Sequence, residues 1–244
     1  MKLTYQNPEK ENWFLVSWTL SNKCNYRCDY CPSFLHDGSS GWPDKDDVFD
    51  FVKSFNLPGK EICYRITGGE PTYWKHFTEF AKTVKQQGHF FSFLTNGSQT
   101  VEYYKEISQW SDGIIISYHP KYADVKHIAD VANAIDCPVA LNLMMVPEQF
   151  AEQESVARRL YALTDALAIW PKVIVDKTSL DHVTNKVSAY TQAQQDTISN
   201  WPYFRKLDDA KLHRGEIMLD DELVTANDLI VKELNNHYGW TCWA

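Results

Sequence analysis

The sequence predicts an α/β fold built on parallel strands, and three observations carry that prediction. Short β-branched and aromatic runs begin near Phe14, Ile62, Phe90, Ile114, Val139 and Ala168, and after the first interval they recur every 24 to 29 residues. That spacing is close to a strand plus a crossover helix. Apolar stripes of helical period fill several of the gaps. The residues with obvious chemistry follow the strand-like runs, and in parallel α/β sheets the carboxyl ends of strands are where ligands bind.

The elements follow in order. The run near Phe14 leads into a long polar loop, residues 21–42. Pro43 and Asp44 then mark a helix start, with acids in the first turn favoured by the helix dipole. Val48, Phe51, Val52 and Phe55 form the first helical stripe. The strand from Ile62 to Thr67 ends in Gly68-Gly69-Glu70-Pro71, paired glycines that let backbone approach closely and a proline that fixes the exit. Phe77, Phe80, Ala81 and Val84 make a second stripe, stopped at Gly88. The third strand closes in Thr95-Asn96-Gly97, a turn pair tolerant of positive φ, and the fourth in Ser117-Tyr118-His119-Pro120. Val125, Ile128, Ala129 and Ala132 form a third stripe, and Asn142 lies inside the fifth strand. Residues 1–175 read as one domain and residues 176–244 as a short α+β extension, with a helix at 191–201 and a hairpin at 216–225.

Composition bounds the function. The 244 residues are 44% apolar, enough for a sizeable core, and no stretch approaches the roughly 20 apolar residues that span a bilayer. The opening MKLTYQNPEKENW lacks a secretory apolar region, so the expectation is a cytoplasmic protein with no membrane partner. A net charge of -8 argues against a protein whose main task is holding nucleic acid. Six cysteines, three of them within eight residues, suggest metal ligation in a reducing compartment. Cys63 and Cys137 lie in or beside apolar strands and read as buried thiols.

Cys24, Cys28 and Cys31 have C-x-x-x-C-x-x-C spacing, which can hold three irons of a four-iron cluster and leave the fourth open to a small molecule. Two other readings stand beside it at this level: a zinc site completed by His36, and unliganded thiols. His119 is a candidate for substrate contact or proton transfer, since an imidazole at a strand's carboxyl end faces the mouth of the sheet.

The cysteine triplet and the Gly68-Gly69-Glu70-Pro71 string about forty residues later together resemble the radical S-adenosylmethionine (radical SAM) superfamily. The resemblance covers roughly residues 14–175 and implies a partial (β/α)6 TIM-like barrel. It implies a 4Fe-4S cluster on Cys24, Cys28 and Cys31, with Tyr30 near the adenine of S-adenosylmethionine. It further implies Gly68, Gly69, Glu70 and Pro71 at the methionine amino group and Ser117 at the cofactor's carboxylate or ribose, while Asn96 and Asn142 are cofactor-contact candidates by their places on the strands. The C-terminal Gly239-Trp240-Thr241-Cys242 resembles the opening of a SPASM or twitch module, which carries an auxiliary cluster. One thiolate cannot hold a second cluster, so three readings of Cys242 stand: the module has been lost, the chain is shortened, or a partner supplies the other ligands.

The activity this implies is reductive cleavage of S-adenosylmethionine to a 5′-deoxyadenosyl radical, which removes a hydrogen atom from a peptide or small metabolite. A low-potential donor such as flavodoxin or ferredoxin supplies the electron. Two alternatives are a glycyl-radical-enzyme activase and, in a different class, a non-catalytic iron-sulfur or zinc module.

Overall fold

A computed structural model describes residues 3–6, 12–174, 190–203, 216–220 and 222–224. Its main sheet has six strands: β2 (Trp13–Thr19), β3 (Glu61–Thr67), β4 (Phe90–Thr95), β5 (Gly113–Tyr118), β6 (Val139–Met145) and β7 (Leu167–Val173). All neighbours are parallel, in the order β2-β3-β4-β5-β6-β7. Sequential order with right-handed crossovers puts every helix on one face and curls the sheet, as in a TIM barrel, here with six strands. The helices on that face are α1 (Lys45–Ser54), α2 (Phe77–Gln86), α3 (Val101–Ser108), α4 (Val125–Ala134) and α5 (Phe150–Leu163).

Side chains alternate along each strand, so each strand divides its residues between the helices and the hollow of the sheet. Ile62, Tyr64 and Ile66 of β3, Phe91 and Phe93 of β4, and Ile114 and Ile116 of β5 belong to the core under the helices. Phe77 and Phe80 of α2 pack edge-on against Phe93 and Phe91, at 5.1 and 5.5 Å between ring centres. Burying each such ring contributes about 1.5–3 kcal/mol. The intervening residues, among them Ser17, Arg65, Ser92, Ala140 and Ala168, face the hollow and are mostly small or polar.

The stripes predicted for α2 and α4 are buried as expected. That of α1 is displaced: Val48, Phe49 and Val52 are buried, while Phe51 stays exposed and packs on Phe55 and Trp18. Asp44 caps α1 by accepting from the backbone of Asp46 and Asp47. Cys63 is buried on the hollow side of β3, outside the core under the helices, and Cys137 is only partly buried.

A second sheet joins β1 (Leu3–Gln6) to the predicted hairpin, β8 (Glu216–Leu219) and β9 (Glu222–Val224), all antiparallel. The predicted late helix is α6 (Gln192–Ser199), opened by a Thr191 capping box. Trp201 ties this segment to the barrel through an indole N–H donated to the Ile169 carbonyl at 3.1 Å. The Gly239 to Cys242 segment lies outside the described residues.

Candidate functional site

The loop after β2 returns on itself before α1, and one side chain closes it. The Asn22 amide shares its hydrogens among the Phe34 carbonyl at 3.0 Å, Asp37 Oδ1 at 2.5 Å and Ser39 Oγ at 2.8 Å. Its Oδ1 accepts from Ser40 N and Oγ at 2.9 and 2.7 Å. Lys23 and Asp37 add an isolated β-bridge. Residues 24–31 are therefore carried on a closed ring of chain, and Asn22→Ala is expected to open it. The Asn22 partners on Phe34, Asp37, Ser39 and Ser40 are exposed and regain water, so the cost is that of ordinary hydrogen bonds, about 1 kcal/mol net, read as a melting temperature lower by a few degrees and faster proteolysis within residues 22–40.

The start of this ring is welded to the end of β3. Leu20 N donates to the Thr67 carbonyl at 2.9 Å, Gly69 N to Ser21 O and Glu70 N to Lys23 O, both at 2.7 Å. Contact this close leaves no room for side chains. A Cβ on Gly68, where φ is +143°, falls 2.3 Å from Ser21 O, and one on Gly69 falls 2.2 Å from Lys23 O. The glycines thus admit the cysteine loop itself as well as any ligand.

Glu70 is fully buried behind this junction. Its carboxylate accepts from Thr72 Oγ1 at 2.6 Å, Thr95 Oγ1 at 2.8 Å and Asn96 N at 2.5 Å. Burial raises its pKa and these hydrogen bonds pull the other way, with burial the larger effect. The side chain so held at the end of β4, Asn96, donates to Asn25 Oδ1 at 2.7 Å and lies 3.9 Å from Cys24 Sγ.

The end of β5 makes the next attachment. His119 Nδ1 is 2.6 Å from the Tyr30 hydroxyl and 3.3 Å from Cys28 Sγ, and its ring stacks on Tyr30. Burial pushes the imidazole pKa down to about 4, so the ring is neutral, and its tautomer decides whether Nδ1 or the Tyr30 hydroxyl donates. Tyr26 stacks on Tyr122 at 4.4 Å, and the Tyr122 hydroxyl donates to the Arg27 carbonyl. Burial, with smaller contributions from the neighbouring thiols, pushes the Cys28 thiol up to about 11. Cys24 is raised for the same first reason.

These attachments enclose a cavity of about 350 Å³ at the carboxyl ends of the strands. Of the predicted site residues, Cys24, Cys28, Cys31, Gly68, Gly69, Asn96, Ser117 and His119 line it. Tyr30, Glu70, Pro71 and Asn142 are not on its wall: Glu70, Pro71 and Asn142 are buried behind it, and the Tyr30 hydroxyl is turned to His119. The sequence reading passed over Tyr26 and Asn22, both on the wall. Among the described residues no three His, Cys, Asp or Glu side chains converge on a single-ion site. A four-iron cluster makes a different demand, since each thiolate reaches its own iron.

Residues 18–119 match the family model of the radical SAM superfamily. A GTP 3',8-cyclase from Yersinia pestis is 29% identical over 104 residues, covering 41% of this chain and 31% of that protein. An S-adenosylmethionine-dependent nucleotide dehydratase from Lacinutrix mariniflava is 32% identical over 108 residues, covering 42% and 22%. The chain thus matches about a third or less of the length of these curated relatives. A solved structure of TYW1 with a lysine-pyruvate adduct bound aligns over 76% of this chain and 69% of that one, with 12% identity and a TM-score of 0.39. Members of the matched superfamily use a 4Fe-4S cluster and S-adenosylmethionine. The segment that bears the cysteine loop, the paired glycines and His119 is thus the part of the chain that is similar to the radical SAM superfamily.

Proposed function

We propose that this chain cleaves S-adenosylmethionine reductively at a four-iron cluster and uses the product radical to take a hydrogen atom from a small substrate held in the barrel. The observation that carries the reading is the meeting of three thiols and two glycines on one cavity of about 350 Å³. The donors suit the cofactors: thiolates are soft ligands that favour iron-sulfur clusters, and the volume is in the range of small-ligand sites. In this reading Cys24, Cys28 and Cys31 hold three irons, while Gly68, Gly69, Asn96 and Ser117 face S-adenosylmethionine.

When bound, the cluster supplies the electron and S-adenosylmethionine the 5′-deoxyadenosyl radical. The chain's residues bind, orient and shield. Glu70 fixes the backbone of Asn96, whose amide reaches toward Cys24 Sγ, and hydrogen bonds to sulfur are one lever on cluster potential. Tyr30 and His119 keep Cys28 against the end of β5. Leu35 and Leu94 give the cavity apolar walls that limit water around a reactive radical.

Two relatives act, by name, on GTP and on a nucleotide, which supports a small phosphorylated metabolite over a peptide as substrate. A low-potential donor such as flavodoxin or ferredoxin and a reducing cytoplasm suit three cysteines crowded in one loop. Among the described residues no helix is long and apolar enough to cross a membrane. Residues from 176 onward are an appendage to the barrel domain of 1–175 in this reading, with β1 pairing across to β8.

The test is direct. Anaerobically reconstituted protein with S-adenosylmethionine and dithionite is expected to form 5′-deoxyadenosine, quantified by chromatography. Iron-loaded protein that forms none overturns the proposal.

A further inference from the structure

The hollow of the sheet carries a charge pattern opposite to that of the whole chain. Its floor is closed by Trp13 and Phe90, whose rings lie 4.6 Å apart. Above them, alternation puts Arg65 of β3 and Lys172 of β7 on the hollow face, and no strand contributes a carboxylate there. Glu61, the one acid of the same parity, sits at the opposite rim beside Trp13, four residues and about 13 Å down the strand from Arg65. In a chain of net charge -8, a sheet face whose described strand residues hold two cations and a single acid at the far rim is a selective feature, because concave low-dielectric walls concentrate the field of the charges they hold.

Arg65 is the central member. It is half-buried, and its Nε is enclosed with no hydrogen-bond partner among the described residues. A buried guanidinium N–H is ordinarily paired. On either side, in register, stand Ser17 and Ser92. Two residues further along β3, about 7 Å toward the carboxyl edge, Thr67 lines the cysteine cavity. Arg65 is not itself on the cavity wall and stands one alternation below it on the same face of β3.

We propose that Arg65 is the anchor for an oxyanion group, phosphate or carboxylate, of the substrate, held in the hollow below S-adenosylmethionine. This rests on the radical SAM reading for its location but not for its test. A planar fork of N–H donors matches two oxygens of such a group at once, and the Ser17 hydroxyl beside it can donate to another, while the Ser92 hydroxyl is engaged with the Tyr64 carbonyl. Small residues on the same face, Ser92, Ala140 and Ala168, leave room for the body of the molecule.

The experiment titrates anaerobically purified full chain with inorganic tripolyphosphate and, separately, with citrate, following tryptophan fluorescence; Trp170 lies on the same face. Wild-type protein is expected to bind at least one probe, and which one names the oxyanion. Arg65→Gln should weaken that binding tenfold or more, Arg65→Lys should restore part of it, and the affinity for S-adenosylmethionine by equilibrium dialysis should stay within twofold. Binding of neither probe, or equal binding by wild type and Arg65→Gln, overturns the proposal. Loss of S-adenosylmethionine affinity in Arg65→Gln also overturns it, by assigning the guanidinium to the cofactor's carboxylate. No step of the titration needs 5′-deoxyadenosine to form, so failure of the radical SAM reading is seen separately.

Discussion

Cys28→Ala is expected to leave the barrel folded and to abolish 5′-deoxyadenosine formation, a fall of at least about a thousandfold, on the scale of removing an essential catalytic group. Cys28 belongs to the loop and not to the core under the helices, and its nearest polar neighbour is the His119 ring at 3.3 Å. Losing one sulfur there removes a small apolar group and one weak hydrogen bond, which costs about 1 kcal/mol. In the proposed ligand set, losing one thiolate of three is a different order of change, because the two that remain would leave two irons without protein ligands. The expected pattern is an unchanged circular dichroism spectrum and a melting temperature within a few degrees, together with loss of bound iron and of the reduced-cluster resonance signal. Cys137→Ala is the control, since that thiol lies beside the amino end of β6, away from the cavity, and should load iron as wild type does. Activity retained in Cys28→Ala would remove this thiol from the ligand set.

Much of the barrel was legible because its signals are local. The strand recurrence and the stripes of α2 and α4 need only alternation and a period of 3.6 residues, and the structure agrees with both. In α1 two stripes compete, because Phe49 and Phe51 flank Asp50 and either ring completes a face with Val48 and Val52. Periodicity cannot choose between them. The structure buries Phe49 against Trp74 and Phe80, partners brought in by a different βα unit.

The candidate site divides the same way. The cysteine spacing and the paired glycines are visible in the sequence, and the fold brings both to one cavity. What each neighbour does there depends on pairings across long separations. Asn22 binds residues twelve to eighteen positions away, and His119 meets Tyr30 across 89 positions. No local pattern encodes such contacts. Arg65 reads as an ordinary polar residue in a strand until register and burial show that it faces the hollow with an Nε that has no partner among the described residues.

Gly69→Ala is expected to have the second largest effect, and it separates two roles for the paired glycines. If they served only to bare backbone to a ligand, an added methyl group would weaken S-adenosylmethionine binding and leave the apoprotein's stability alone. The geometry gives a different expectation. The new Cβ meets Lys23 O at 2.2 Å and Lys23 C at 2.4 Å, both backbone atoms of the cysteine loop, so no side-chain rotation relieves the clash. The loop must retreat, and the 2.7 Å bonds from Gly69 N to Ser21 O and from Glu70 N to Lys23 O go with it. Overpacking of this kind costs about 1–3 kcal/mol, and each lost hydrogen bond about 1 kcal/mol more. For a chain of this size that sum lowers the melting temperature by about 10 °C. Apoprotein melting and iron content after reconstitution should therefore fall together, because displacing Lys23 moves Cys24 beside it. An apoprotein that melts as wild type while losing only S-adenosylmethionine affinity would return Gly69 to the ligand-facing role alone.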